Sequence, residues 1–427
     1  MTKKIFALLW TAIFILSGLF GQGYAAEAPE RPDYHLEAVL VLSRHNIRSP
    51  LVSSDSQLAR LTPYKWYEWP VAPGQLSPKG GELETLMGEY FRQWMVKEGL
   101  IPEDYRPSED EVRFYANSKQ RTIATATRFA EGMFPQEKIA IEHKFAPEAS
   151  DPVFSPRYPS VDTQFQLQAL KEISQMWGAQ GLQGIGKELA EPYATLEKVL
   201  QLKKSPAATE DGMNHFRTND LEIKFQQGKQ TKVEGSLELA NSASDALLLQ
   251  YYEEPTSIKR DFKRRPSRAE WEQIGRIKDI CLAVQFSSPS VGLKVAQPLL
   301  KVMNEEILSD RKFSFLCGHD SNIATVLAAL QVEDYELAKS FEKKAPLGVK
   351  LVIGQWRDKE GHGYGSLDLV YQSTDQLIKA TPLTLARPPM IQHLRLKGAP
   401  PPNSRGHYHL YDVLIRFQRA LETNKRG

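Results

Sequence analysis

The apolar run from Leu36 to Leu42, rich in Val and Leu and without period-two alternation, predicts a strand buried on both faces. Phe313 to Cys317 is a second such run, and Arg113 to Ala116 a shorter strand candidate. Helical periodicity follows the last two, over Asn322 to Leu330 and Thr122 to Phe134 respectively. After the first run comes an aromatic loop. Ser77 and Pro78, an N-cap and first-turn pair, then open an amphipathic helix predicted to reach about Glu98. Gly80 and Gly81 in its first turn weaken it and mark a close backbone approach. Helices are predicted over Trp271 to Phe286 and Val295 to Leu308. An antiparallel hairpin is predicted from Gly348 to Trp356 and Ser366 to Tyr371, and a closing helix from Leu410 to Glu422.

Between about Lys144 and Arg268 the texture changes. Helical patterns at Thr163 to Trp177, Tyr193 to Leu202 and Ala240 to Tyr252 are separated by connectors rich in Gly, Pro and Lys, and the pattern predicts no strand among them. The basic stretch Lys259 to Arg268, broken by Pro266, reads as a solvated crossing back to the main domain. The prediction is an α/β fold whose mostly parallel sheet, flanked by helices, is assembled from residues 27–143 and 269–427. A smaller, mainly helical domain is inserted at 144–268.

Ahead of the first strand, Lys3 and Lys4 precede an apolar stretch from Ile5 to about Phe20 and then small residues at Gly23, Ala25, Ala26 and Ala28. That order is a secretory signal peptide, read as residues 1–26, and its apolar part is short for a bilayer span. A periplasmic or secreted protein, free of the membrane once the leader is cut, is expected. The 427-residue chain has a formal charge of +2. Residues 1–26 hold two lysines and no acids, so the mature chain is neutral and gives no reason to expect nucleic-acid or membrane partners. Hydrophobic content of 41% and charged content of 25% belong to a packed globular protein rather than a tail or fibre. Cys281 and Cys317 are free to pair if they lie close, but the apolar run around Cys317 equally suits two buried thiols. The histidines show no zinc-like spacing; no metal and no other cofactor is expected. His407 and His409, alternating in a Pro-rich aromatic tail, read as surface residues.

The candidate chemistry gathers where strands end. Arg44-His45-Asn46-Ile47-Arg48-Ser49-Pro50 leaves the first strand, Arg121 stands where the Thr122 helix begins, and Gly318-His319-Asp320 leaves the Phe313 strand. In open α/β sheets ligands bind at that carboxyl edge. Guanidiniums match phosphate oxygens bidentately, neutral imidazole can attack phosphorus, and a helix N-terminus beside an Arg suits a phosphate. Each piece alone has a plainer reading: solvated arginines, or an Asp that only caps a helix. Three junctions of one build, however, would place His45, Arg48, Arg121, His319 and Asp320 along one sheet edge, a combination chance rarely assembles. In the loop Tyr64-Lys65-Trp66-Tyr67-Glu68-Trp69-Pro70, Trp66 and Trp69 either wall a substrate pocket suited to a sugar ring or pack without touching a ligand.

On these residues the chain resembles the histidine acid phosphatases, the two-domain branch of the phosphoglycerate-mutase-like superfamily. The paired signature is Arg44-His45-Asn46-Ile47-Arg48-Ser49-Pro50 with Gly318-His319-Asp320-Ser321-Asn322. The likeness extends through Trp66-Tyr67-Glu68-Trp69, Gly74-Gln75-Leu76-Ser77, Ala116-Asn117-Ser118, Gln120-Arg121-Thr122, Gln250-Tyr251-Tyr252-Glu253 and Val370-Tyr371-Gln372-Ser373. The resemblance implies a phosphomonoesterase working through a phosphohistidine. His45 would be the nucleophile, Arg44, Arg48, Arg121 and His319 the phosphate cradle, and Asp320 the proton donor. Glu253 would be the next candidate acid and, with Trp66 and Trp69, a pocket residue. No metal is implied, because arginine does the neutralising that Mg²⁺ does in other phosphoryl-transfer sites.

Asn46 and Ser321 favour the branch of the family that cleaves sugar phosphates such as glucose 1-phosphate, whereas its phytases usually carry Gly and Thr there. Inositol hexakisphosphate is thus the alternative substrate, and a protein that keeps the cradle without turnover a distant third reading. The partner implied is a small phosphomonoester, and the protein a monomer or homodimer. Periplasmic members carry several disulfides, including one in the tail where this chain has Gly398-Ala399-Pro400 and Tyr408. Three cations around His45 should lower its pKa while Asp320 keeps its proton, so an acidic optimum is expected.

Overall fold

The computed structural model describes residues 33–51 and 57–422, so the leader read at residues 1–26 lies outside the described residues. The strands are β1 (Tyr34–Arg44), β2 (Val112–Ala116), β3 (Ile141–Glu142), β4 (Glu222–Lys224), β5 (Lys232–Glu234), β6 (Phe313–Gly318), β7 (Lys350–Asp358), β8 (Gly363–Tyr371), β9 (Met390–His393) and β10 (His407–His409). The main sheet runs β10-β8-β7-β1-β6-β2-β3, with β9 on β8. β1, β6, β2 and β3 are mutually parallel, and beyond β1 the sheet continues antiparallel through β7 and β8. β1 lies at that seam, where Leu40 and Leu42 face one layer of the core while Val39 and Val41 face the other. Double burial is why its sequence runs apolar without alternation.

The helices that concern the site are α1 (Pro78–Lys97), α2 (Gln120–Met133), α3 (Thr163–Gln175), α4 (Leu182–Leu200), α5 (Ser236–Glu253), α6 (Pro255–Phe262), α7 (Arg268–Phe286), α8 (Pro289–Val295), α9 (Gln297–Ile307), α10 (Asp320–Ala329) and α11 (Leu410–Glu422). α1 and α2 cover one sheet face, packing Phe91 and Phe129 against Phe313 and Phe315. α9, α10 and α11 cover the other through Met303, Ile323 and Phe417. A third core joins α4, α5 and α7 through Leu196, Leu247 and Ile274, and reaches Ile47 and Leu83. The helical layer therefore packs directly on the loop that leaves β1. Among the described residues no helix is long and apolar enough to cross a membrane.

Several local expectations differ from what is observed. The helix expected from Tyr193 begins at Leu182. Gly184, Gly186 and Pro192 lower helix propensity in its first half, but burial of Ile185 and Leu189 outweighs them, and a side chain at Gly186 would collide with the Thr218 carbonyl. Where no strand was predicted, β4 and β5 pair as a hairpin whose three-residue strands are too short to display alternation. The basic stretch read as a crossing contains the end of α6, which buries Ile258 and Phe262 while Lys259 and Arg260 stay solvated. The helix expected over Val295 to Leu308 is instead α8 and α9, which break at Ala296. His407 is buried, its ring stacked on Trp356 with centroids 4.7 Å apart, because β10 pairs with β8; His409 remains exposed. Cys281 and Cys317 are both buried free thiols.

Candidate active site

The parallel neighbours β1, β6 and β2 end side by side, with Arg44 registered to Gly318 and Ala116 to Cys317. As the chain leaves β1, the His45 amide still donates to the Gly318 carbonyl at 3.1 Å. Arg121 sits in the first turn of α2, and His319 and Asp320 pass from β6 into α10. These three exits bring His45, Arg44, Arg48, Arg121, His319 and Asp320 together.

His45 Nδ1 lies 2.9 Å from the carbonyl oxygen of Asn46, the next residue. A carbonyl can only accept, so Nδ1 carries the proton and Nε2 keeps its lone pair. Burial, then the charges of Arg121, Arg48, His319 and Arg44, hold the His45 pKa well below 6.5, which agrees with the lowering expected from sequence. The His319 ring stands 5.5 Å away at 71° to it. Asn117 Nδ2 donates to His319 Nε2 at 2.7 Å, and the Asn117 orientation is fixed by the Asp151 amide donating to its Oδ1. His319 therefore carries its proton on Nδ1. Burial and then Arg121 bring its pKa down to about 3.

The Asn46 side chain turns away from this cluster. Its Nδ2 donates to Glu84 Oε1 at 2.7 Å and its Oδ1 accepts from the Ile47 amide. Glu84 in turn pairs with Lys350 at 2.9 Å, both side chains being wholly enclosed. α1 comes close because Gly80 has no side chain to collide with the Ile47 carbonyl, which accepts from the Ser77 amide at 2.9 Å. This is the approach that the paired glycines indicated.

Arg44 is fully buried: Nη2 is 3.1 Å from Asp320 Oδ2, and Nη1 is 2.9 Å from Glu342 Oε1 and also donates to the Ala345 carbonyl. Arg48 Nη2 lies 3.0 Å from Asp245 Oδ2, and Lys278 pairs with both Asp245 and Glu342. The Arg121 guanidinium forms no hydrogen bond or ion pair with any described residue. Burial and then Arg48 lower its pKa to about 10, so an anion arriving beside it would relieve both. Four cations, Arg44, Arg48, Arg121 and Lys278, against three carboxylates, Asp245, Glu342 and Asp320, leave the enclosure with one net positive charge while both histidines are neutral. Asp245, Lys278, Glu342 and Asn117 were not singled out by the sequence. Asn117 alone had a signal, lying in the Ala116-Asn117-Ser118 match three residues before α2.

The expectation that Asp320 keeps its proton is not met in the free site. Burial pushes its pKa up, but Arg44, Lys278 and His319 outweigh that and hold it below 3.8. Glu253 lies apart from this ion network: its carboxylate accepts from the Ser77 hydroxyl at 2.6 Å at the head of α1, and burial raises its pKa. Trp66 and Trp69 line a cavity of about 500 Å³ that begins at Ser49 and Pro50, the end of the β1 exit, and includes Tyr64 and Gln250. Trp66 is held there by its Nε1–H donating to the Leu58 carbonyl and by edge contact with Phe262.

The chain matches the histidine phosphatase superfamily (branch 2) over residues 35–362. It is 35% identical over 413 residues to a glucose-1-phosphatase of Salmonella typhimurium, spanning 94% of this chain and 95% of that one. It is 34% identical to a glucose-1-phosphatase of Providencia rettgeri, over 93% and 94% of the two chains. A phytase of Hafnia alvei in complex with tartrate superposes with a TM-score of 0.82 at 26% identity, covering 92% of this chain and 98% of that one.

Proposed function

This chain belongs to the histidine phosphatase superfamily, branch 2, and on that premise we propose that it hydrolyses sugar phosphomonoesters, glucose 1-phosphate first among them, through a phosphohistidine at His45. The observation that carries the reading is the state of His45: Nδ1 occupied by the Asn46 carbonyl, Nε2 without a hydrogen-bond partner among the described residues, and the ring kept neutral well into acid. Nε2 attacks phosphorus in line as the bond to the leaving oxygen breaks. Arg44, Arg48, Arg121 and the Nδ1–H of His319 hold the remaining oxygens and stabilise the charge that develops on them. Asp320 hands a proton to the leaving oxygen, and water then cleaves the phosphohistidine.

The low pKa of free Asp320 means that the proton enters with the substrate. A phosphomonoester loses its second proton near pH 6, so below that pH it arrives as a monoanion carrying the proton that Asp320 relays. A dianion would leave the site net negative, which favours taking up a proton from solution. Either route supports an acidic optimum.

Choice of a sugar phosphate is supported by the two glucose-1-phosphatases and by the Trp66 and Trp69 cavity, whose aromatic faces suit a sugar ring. Residues 144–268 act on this reading as an inserted domain facing the leaving group, and the leader at 1–26 exports the protein to the periplasm or beyond. The likeness to a phytase favours a second reading, cleavage of inositol hexakisphosphate. Comparing kcat/KM for glucose 1-phosphate, glucose 6-phosphate and phytate separates the two, and a preference of about tenfold for phytate would overturn the first.

A further inference from the structure

Lys278 and Asp279, consecutive on α7, both reach the segment before β7 that anchors Arg44. Lys278 Nζ lies 3.2 Å from Glu342 Oε1, while Asp279 accepts the backbone N–H groups of Lys343 at 2.7 Å and Lys344 at 3.1 Å. Glu342 and the Ala345 carbonyl are the groups that hold Arg44 Nη1. On its other side Lys278 pairs with Asp245 of α5, which holds Arg48 Nη2. One ammonium thus joins two carboxylates, each of which fixes a guanidinium beside His45. Without it, each enclosed carboxylate would keep only its guanidinium, and nothing would offset the repulsion between the two carboxylates.

We propose that Lys278 is a positioning residue of the phosphatase reaction, holding Arg44 and Arg48 in place through Glu342 and Asp245 and setting how tightly the site keeps the proton that Asp320 delivers. Its ion-pair partners are Asp245 and Glu342, neither His45 nor Asp320, and it acts through these neighbours. The charged or titratable groups around Lys278 are Asp245 from α5, Glu342 from the segment before β7, Arg44 from β1, Asp320 from α10, and Asp279 and Cys281 on its own helix. Those around Asp320 are Arg44, Lys278, His319, Asp245, Arg121 and Cys281. Lys278 and Asp245 act on Asp320 with opposite signs, the first favouring loss of its proton and the second its retention.

The inference rests on the phosphatase reading, and its test uses the opposition. kcat is followed against pH on glycerol phosphate, whose leaving oxygen needs a proton, for wild type, Lys278→Met, Asp245→Asn and Lys278→Arg. Both neutralising variants should lose about 10- to 100-fold in kcat/KM through displaced arginines. The alkaline limb of kcat should move to higher pH in Lys278→Met, move to lower pH in Asp245→Asn, and stay in place in Lys278→Arg. Lys278→Gln replaces the Met variant if that chain does not fold. Damage to packing slows both variants but cannot move the limb in opposite directions. Limbs that stay put, or move the same way, overturn the role of Lys278 while wild-type turnover leaves the phosphatase reading intact; a wild type inert on phosphomonoesters overturns the reading itself.

Discussion

Replacing Lys350 with Met should destabilise the protein in a pH-dependent way that a second substitution reverses. Lys350 Nζ sits 2.9 and 3.2 Å from the two oxygens of Glu84, and both side chains are completely enclosed. Removing the ammonium leaves a buried carboxylate with the Asn46 amide to satisfy it, and breaking such a pair costs about 3–5 kcal/mol. With an unfolding entropy of roughly 2.1 cal/mol/K per residue over 427 residues, that is a fall in Tm of roughly 3–6 °C at neutral pH. Burial already raises the Glu84 pKa by more than Lys350 and Asn46 lower it. A carboxyl raised in the folded state contributes stability that is present below its unfolded pKa and lost as pH rises through the folded one. Lys350→Met raises it further, so the deficit should be largest near pH 7 and shrink towards pH 4. Lys350→Met with Glu84→Met replaces both charges by apolar groups and should recover most of the loss. Thermal unfolding of wild type, single and double variants at the two pH values checks this. The reasoning fails if the single variant melts like wild type at pH 7, if its deficit persists in acid, or if the double variant is no more stable than the single.

Asn117→Asp puts an acceptor where a donor now meets His319 Nε2, so the His319 pKa should rise from about 3; imidazole nitrogen shifts followed by NMR titration read this directly, and an unmoved pKa would show that Asn117 does not set its tautomer. His407 is held down to about 4, chiefly by burial, against the pull of Asp368. A histidine depressed on folding takes up its proton more readily when unfolded, so stability is lost as pH falls from about 6.5 to about 4. His407→Phe should flatten that part of the curve of Tm against pH, and an unchanged slope would assign it to other groups.

The parts of this molecule legible from sequence are those whose environment repeats along the chain. β1 and β6 are buried on both faces, and that is written in Leu36 to Leu42 and Phe313 to Cys317 as apolar runs. The head of α1 is written in Ser77, Pro78 and Gly80, which do local jobs of capping and close approach. The ion network was silent because its pairs join residues far apart in the chain: Asp245 and Lys278 are single polar positions on helices, indistinguishable in sequence from solvated ones. The lowered pKa of Asp320 in the free site has the same origin, since nothing local says that Arg44 turns onto it. Asn46, read as a mark of substrate preference, binds Glu84 and faces inward. Any preference it carries must therefore pass through the shape of the loop around His45 rather than through contact with the sugar.

The most direct test of the central claim is to mix the enzyme with labelled p-nitrophenyl phosphate, quench within milliseconds in base, digest it, and locate the label by mass spectrometry. p-Nitrophenolate leaves without a proton, so the same experiment on Asp320→Asn should still load the enzyme, although general acid catalysis is worth about 10²–10⁴-fold for poorer leaving groups. In both proteins the label should sit on His45, and in His45→Ala it should be absent along with turnover. Label on any other residue, or turnover that survives in His45→Ala, would contradict the account.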